Sequence, residues 1–211
     1  MYLKRDFFYK SAHRLLLEKS LKILFEELQK KSFFEKIIDF GSGNPRYTSF
    51  LPKANWIFFD KIPQESKNVF FATEKNIPEK NADLFLCIEV IQYIQAERQT
   101  FLISEIKRII GKKGVAIISV PYLYPIDHNE HLRIRNPENY FKDIKTLNYQ
   151  TFGNIFSIIH DALFGKFLSI NNNYFKRFLM ILISPIKIIS YLISKTNYLN
   201  LASGYLITIR N

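Results

Sequence analysis

The stretch "KIIDFGSGNPRY", Lys36 to Tyr47, decides the fold. A short apolar run carries an acid, Asp39, and then meets two glycines one residue apart, Gly41 and Gly43. Apolar runs of this kind, stopped by glycine, are the pattern of a buried parallel strand. Glycines at the strand end let backbone approach a ligand closely. The third glycine of the dinucleotide fingerprint should fall three residues after Gly43, and that position is Arg46. A Walker loop needs Gly-Lys-Ser/Thr, whereas Gly43 is followed by Asn44-Pro45. Asp39, just ahead of the turn, would repel a phosphate. The turn suits a ligand that brings none.

Working outward, "WIFFD" (56–60) is a second strand that ends in an acid, "NVFFA" (68–72) a weaker third, "ADLFLCIEV" (82–90) a strong fourth and "GVAIISVP" (114–121) a fifth. Residues 11–31 and 96–110 carry apolar side chains at helical spacing, the second stopped by Gly111. "SGYLITIRN" (203–211) alternates as a closing strand does. Strands alternating with helices predict a parallel α/β sheet, whose ligands lie at the carboxyl ends of the strands. Those ends hold Asp39, Asp60, Glu74 and Glu89, an acidic edge on a chain with a net charge of +11. Asp60 stands 17 residues after Gly43, a spacing that suits one helix plus a strand. Its carboxylate can accept both hydroxyl protons of a ribose. S-adenosylmethionine fits such an edge: an adenosine, an amino acid and a sulfonium cation, with no phosphate.

These residues resemble the class I S-adenosylmethionine-dependent methyltransferases, and in particular a small bacterial branch, methyltransferase type 11-like, often linked to surface-polysaccharide or lipid-linked glycan pathways. The resemblance covers roughly residues 36–165 and the closing strand. "IIDFGSGNPRYTSFLP" is similar to the family's first motif, "WIFFDKI" to its second-strand motif, "ADLFLCIEVIQYI" to its fourth, and "EIKRIIGKKGVAIISVPYLYP" to its helix and fifth strand. It implies a Rossmann-like fold, a mainly parallel seven-stranded sheet with helices on both faces and an apolar helical insert before the last strand. It implies one domain: a helical region over 1–35, a cofactor-binding core over 36–150, the insert over 151–200 and the closing strand over 201–211. The implied cofactor contacts are Asp39, Phe40, Gly41, Ser42, Gly43, Asp60, Lys61, Thr73, Glu74, Ile88, Glu89 and Val90. Thr73 stands where the family has an acid that meets the adenine amino group, with Glu74 beside it. Gln92-Tyr93 stands where the family has Glu-His.

Methyl transfer is an in-line displacement at the sulfonium methyl, accelerated largely by positioning. A hydroxyl acceptor also needs a base. The loop "IDHNEHLRIRNPE" after the fifth strand offers Asp127, His128, Glu130 and His131, with Arg133 and Arg135 for an anionic acceptor. His128, His131 and Arg133 are the candidate catalytic residues. With no cysteine or third histidine near them, the two histidines predict no metal site. His13 and His160 read as structural, and the single Cys87, in an apolar run, as core packing.

The first residues lack the continuous apolar segment of a signal peptide, so a cytoplasmic protein is expected. Charge of this sign favours an anionic partner, an anionic membrane or a nucleic acid. From 155 to 211 six cations face one acid, Asp161. Within that segment "NYFKRFLMILISPIKIISYLISKTNY" (173–198) is apolar nearly all round, with a narrow polar stripe of Arg177, Ser184, Lys187, Ser190 and Ser194. Lys187 and Pro185 interrupt it before it reaches the length of a spanning helix. Such a helix suits an interfacial anchor or a lid over a lipidic acceptor; a core or homodimer-interface helix is the other reading. The expected function is methylation of a small-molecule, sugar or lipid-linked acceptor. Two alternatives stay open: a degenerate methyltransferase fold acting as a binding or scaffold subunit, and a nucleic-acid methyltransferase. Against the latter, the chain has no Asn-Pro-Pro-aromatic signature.

Overall fold

The computed structural model describes residues 10–77, 81–122, 147–193 and 202–210. Its elements are α1 (Ala12–Gln29), β1 (Lys36–Phe40), β2 (Asn55–Asp60), β3 (Val69–Phe71), β4 (Leu84–Ile88), α2 (Ala96–Ile110), β5 (Val115–Pro121), β6 (Leu147–Phe152), α3 (Ile155–Leu168), α4 (Asn173–Ile193) and β7 (Gly204–Arg210). The seven strands form one sheet in the order β3-β2-β1-β4-β5-β7-β6. The sheet is mostly parallel with one antiparallel strand. Strand order reverses between β1 and β4, the place where such sheets open a crevice at their carboxyl ends.

β4 is buried at every position, so side chains of both parities are covered. On one face α2 sets Leu102, Ile103, Ile106, Ile109 and Ile110 against Ile38, Phe85, Cys87, Ile118 and Ile207. Cys87 is fully buried there, and its thiol pKa is pushed up by burial first and by the Asp39 charge second. Leu24 and Leu28, late in α1, border a cavity with Thr208, which has the opposite parity on β7. α2 stops at Gly111, whose positive φ of 56° closes the helix with its N–H on the Lys107 carbonyl.

The expected helix between β1 and β2 is absent. Residues 41–54 hold a single 3₁₀ turn, Thr48–Phe50, within irregular chain. Pro45 disfavours helical backbone at Asn44, and Pro52 follows within one turn of Phe50. Tyr47 and Leu51 are buried instead, and the Trp56 indole N–H donates to the Leu51 carbonyl at 2.9 Å.

The chain divides into two compact units. One holds β1 to β5, α2, β7 and the end of α1. The other holds α3, α4 and α1 as far as Ile23. In this second unit Asn154 caps α3 through a reciprocal pair with Ser157. The Asp161 carboxylate accepts the backbone N–H groups of Ala12 at 2.7 Å and His13 at 2.9 Å, and pairs with His160 Nδ1 at 2.7 Å. α1 thus takes its N-terminal cap from α3. Phe164, Met180 and Ile183 form the apolar contact between α3 and α4.

Candidate functional site

The parallel registers align the strand ends. Phe40 lies opposite Phe59, and Asp39 lies opposite Leu86. Counting on, Gly41 comes level with Asp60 and Ile88, so Gly41, Lys61 and Glu89 leave the sheet within one residue of one another. They border a cavity of about 300 Å³ with Phe40, Asp60, Ala72, Thr73, Glu74, Val90, Tyr93 and Ile94.

The glycine turn is held by backbone rather than by a helix. Gly41 and Gly43 have φ of 74° and 53°, where a Cβ is strained. The N–H groups of Gly41 and Ser42 both donate to the Phe59 carbonyl, at 2.7 and 3.1 Å. A Cβ on Gly41 would collide with the Val90 side chain. The missing methyl is what lets the turn after β1 close against the turn after β4.

Asp60 ties this turn to the end of β2. One carboxylate oxygen accepts the Gly43 N–H at 2.8 Å and the other the Ile62 N–H at 2.9 Å. Gln64 donates to the Gly43 carbonyl at 2.9 Å and completes the brace. Each Asp60 oxygen keeps a lone-pair direction for another donor. The carboxylate is thus oriented before any ligand arrives, which removes an ordering cost from binding.

Glu89 is one of two non-glycine residues with positive φ among the described residues, at 60°. Strain of that kind persists only where the surroundings enforce it. Here the enforcing group is the buried Ser119 hydroxyl on β5. It accepts the Glu89 N–H at 2.9 Å and donates to Glu89 Oε1 at 3.0 Å. Tyr93, half-exposed beside it, has its pKa raised, chiefly by burial and then by the Glu89 charge. The turn carrying Tyr93 is anchored from α2, where the buried Gln99 amide donates to the carbonyls of Ile91 and Ile94 at 3.1 and 2.8 Å.

On the far wall, Thr73 donates its N–H and hydroxyl to Asn76 Oδ1, at 2.6 and 2.8 Å. Glu74 receives Arg98 Nη1 at 2.9 Å. The acid at this wall is therefore partly neutralised by an arginine from α2, a partner that the sequence did not single out. Ser119, inside the fifth-strand motif, and Arg98, on α2, were missed because only the tertiary fold brings them to Glu89 and Glu74.

Of the expected cofactor residues, Phe40, Gly41, Asp60, Lys61, Thr73, Glu74, Glu89 and Val90 come together on the cavity. Asp39 does not border it. Its carboxyl lies 2% exposed within β1. Ser42, Gly43 and Ile88 do not border the cavity either, and Gly43 is tied to it through Asp60. His128, His131 and Arg133, with Asp127, Glu130 and Arg135, lie outside the described residues.

No protein-family model and no curated protein matches the sequence. Solved structures do match in shape. An S-adenosylmethionine-dependent methyltransferase from Archaeoglobus fulgidus is 15% identical, with a TM-score of 0.56, over 92% of this chain and 94% of its own. The N-methyltransferase NodS from Bradyrhizobium japonicum WM9, solved with S-adenosyl-L-homocysteine, is 10% identical, with a TM-score of 0.57, over 92% and 87%. An S-adenosylmethionine-dependent methyltransferase from Clostridium acetobutylicum ATCC 824 is 12% identical, with a TM-score of 0.56, over 91% and 90%. The sheet order, the glycine turn at the switch point and these likenesses agree: the chain has the fold of the class I methyltransferases.

Proposed function

We propose that the protein is an S-adenosylmethionine-dependent methyltransferase acting on a small-molecule, sugar or lipid-linked acceptor. The observation that carries this reading is Asp60, pinned by two backbone N–H groups at the mouth of an acid-walled crevice beside a glycine turn. The crevice fits the cofactor in three respects. Asp60 presents two fixed acceptors to a ribose diol. Glu89, held by Ser119, places negative charge at the end of β4, as an ammonium or sulfonium cation would require. The turn after β1 has no helix N-terminus to hold a phosphate, which the cofactor does not bring.

When bound, the cofactor supplies an electrophilic methyl on a cationic sulfur. The chain's own residues bind and orient it. Gly41 allows Val90 to close the wall, Asp60 holds the ribose, and Thr73, Glu74 and Tyr93 frame the remaining surface. Deprotonation of a hydroxyl acceptor falls to the loop after β5, where His128, His131 and Arg133 are the residues to vary.

Calorimetry with S-adenosylmethionine and S-adenosylhomocysteine tests the reading. Binding of either that weakens roughly tenfold to a hundredfold in Asp60→Ala is expected, the loss typical of a hydrogen bond to a charged group. Absence of binding to both overturns it and favours a scaffold subunit. The Glu74–Arg98 pair, on the wall where the family carries a free acid, is the observation that keeps that second reading in view.

A further inference from the structure

α4 turns three polar side chains inward and a row of apolar ones outward. Ser184, Lys187 and Ser190 are buried at 9%, 1% and 0% exposure. Ser190 donates to Asn154 Oδ1 at 3.1 Å, and the Asn154 amide donates to the Ser190 carbonyl at 2.9 Å. Lys187 Nζ reaches the Lys10 carbonyl at 2.9 Å. Met180 and Ile183 also pack inward, against Phe164, but six large apolar side chains are outside. Tyr174, Phe175, Phe178, Ile181, Leu182 and Leu192 are each more than half exposed. They recur at helical spacing, so they form one continuous face about 27 Å long. Monomers in water seldom leave such a face open.

We propose that this face of α4 docks on the surface of an anionic lipid bilayer, with the helix lying in the plane of the interface. Three observations favour lipid over a protein partner. The first is charge. α4 carries no acid, Arg177 is exposed between Tyr174 and Phe178, and Lys166 is exposed near the end of α3. Cations interleaved with aromatic and aliphatic side chains are what an anionic headgroup layer attracts and a bilayer interface accommodates. The second is depth. No helix among the described residues is long and apolar enough to cross a membrane. Lys187 is committed to the protein side, so α4 can lie on the bilayer and not in its core. The third is the backbone. Pro185 has no N–H for the Ile181 carbonyl, which would leave a bare acceptor on the apolar face. The Ser184 hydroxyl donates to that carbonyl at 2.7 Å. Uncompensated carbonyls are expensive only where water is scarce.

The proposal does not depend on the cofactor reading, since α4 and the crevice belong to different units. It is tested by flotation of the full chain with phosphatidylcholine vesicles and with vesicles that also contain phosphatidylglycerol. The expected result is flotation with the anionic vesicles at low ionic strength, lost at high salt, and reduced about fivefold or more in Arg177→Glu. Ile181→Glu with Leu182→Glu should abolish flotation while leaving the circular dichroism spectrum unchanged, because both side chains are exposed. A polarity-sensitive dye on Leu182→Cys should shift to the blue on binding, and the same dye on Glu105→Cys should not; the native Cys87 is buried and does not compete for label. No flotation of the wild type at low salt overturns the proposal. So does a self-associated wild type that the Ile181→Glu, Leu182→Glu pair converts to monomer, because the face then belongs to a second copy.

Discussion

At the scale of residues, the crevice depends on one absent methyl group. Gly41→Ala would force an L side chain into positive φ, at about 1–2 kcal/mol, and press its Cβ into Val90, at about 1–3 kcal/mol more. The expected outcome is a stability loss of roughly 2–5 kcal/mol in urea unfolding, with cofactor binding lost alongside it. Adding Val90→Ala should return the packing share and leave the backbone share, so the double variant separates the two costs. Lys187 makes a second residue-level prediction. Burial, only partly offset by Asp161, lowers its pKa from 10.5 to about 8. Between those values the unfolded chain holds a proton that the folded chain has released. Folding is therefore penalised below pH 8, and the penalty fades as pH rises towards 10.5. The wild type should gain roughly 3 kcal/mol on Lys187→Met-corrected stability curves across that window. Lys187→Met itself should lack the rise and fold normally, since its aliphatic part fills the same space.

At the scale of elements, the interior strands were legible because parallel strands buried on both faces are written as unbroken apolar runs. β1 matches the expected bounds at Lys36–Phe40, and α2 does so at Ala96–Ile110. β6 was not legible. Its residues 148–151 are exposed, it lies at the sheet's edge, and among its described side chains Phe152 alone is buried, too little to impose a pattern. The helix expected before β2 failed for a local reason, since two prolines outweighed the usual spacing of the fold. Of the polar stripe expected on α4, Ser184, Lys187 and Ser190 are buried, Arg177 is exposed and Ser194 lies outside the described residues; that the stripe turns inward was not legible. Which side of a nearly all-apolar helix faces inward is decided by partners far away in sequence, here Asn154 and Asp161. The Asp161 cap of α1 shows the same non-local dependence. Asp161→Ala leaves two helix N–H groups and His160 without their acceptor in a buried place, and should cost about 3 kcal/mol or more, measured by thermal or urea unfolding.

At the scale of the whole molecule, a net charge of +11 and an acidic crevice are separate properties of one chain. In the two proposals above, the cations serve an anionic lipid surface and the strand-end acids a cationic cofactor. Raising ionic strength should therefore weaken vesicle flotation steeply and cofactor binding little, which calorimetry in parallel with flotation would show. Eight of the residues expected at a cofactor border one crevice, and they were readable because they sit on backbone turns at strand ends. The expected acceptor residues, His128, His131 and Arg133, lie outside the described residues.

The sheet order also governs how the chain can be made. β7 comes after β6 in the sequence, yet it lies between β5 and β6, with Leu206, Ile207 and Ile209 fully enclosed. During synthesis β5 emerges with nothing beside it on that flank and waits through more than eighty residues for its neighbour. Until then an apolar strand edge stands open, a template for pairing with the wrong chain. A ribosome-bound fragment that stops before Gly204 should be protease-sensitive and prone to aggregate, whereas release of the remaining strand should bring cooperative resistance in one step. The keystone is placed last, and the protein's vulnerability belongs to the interval before it arrives.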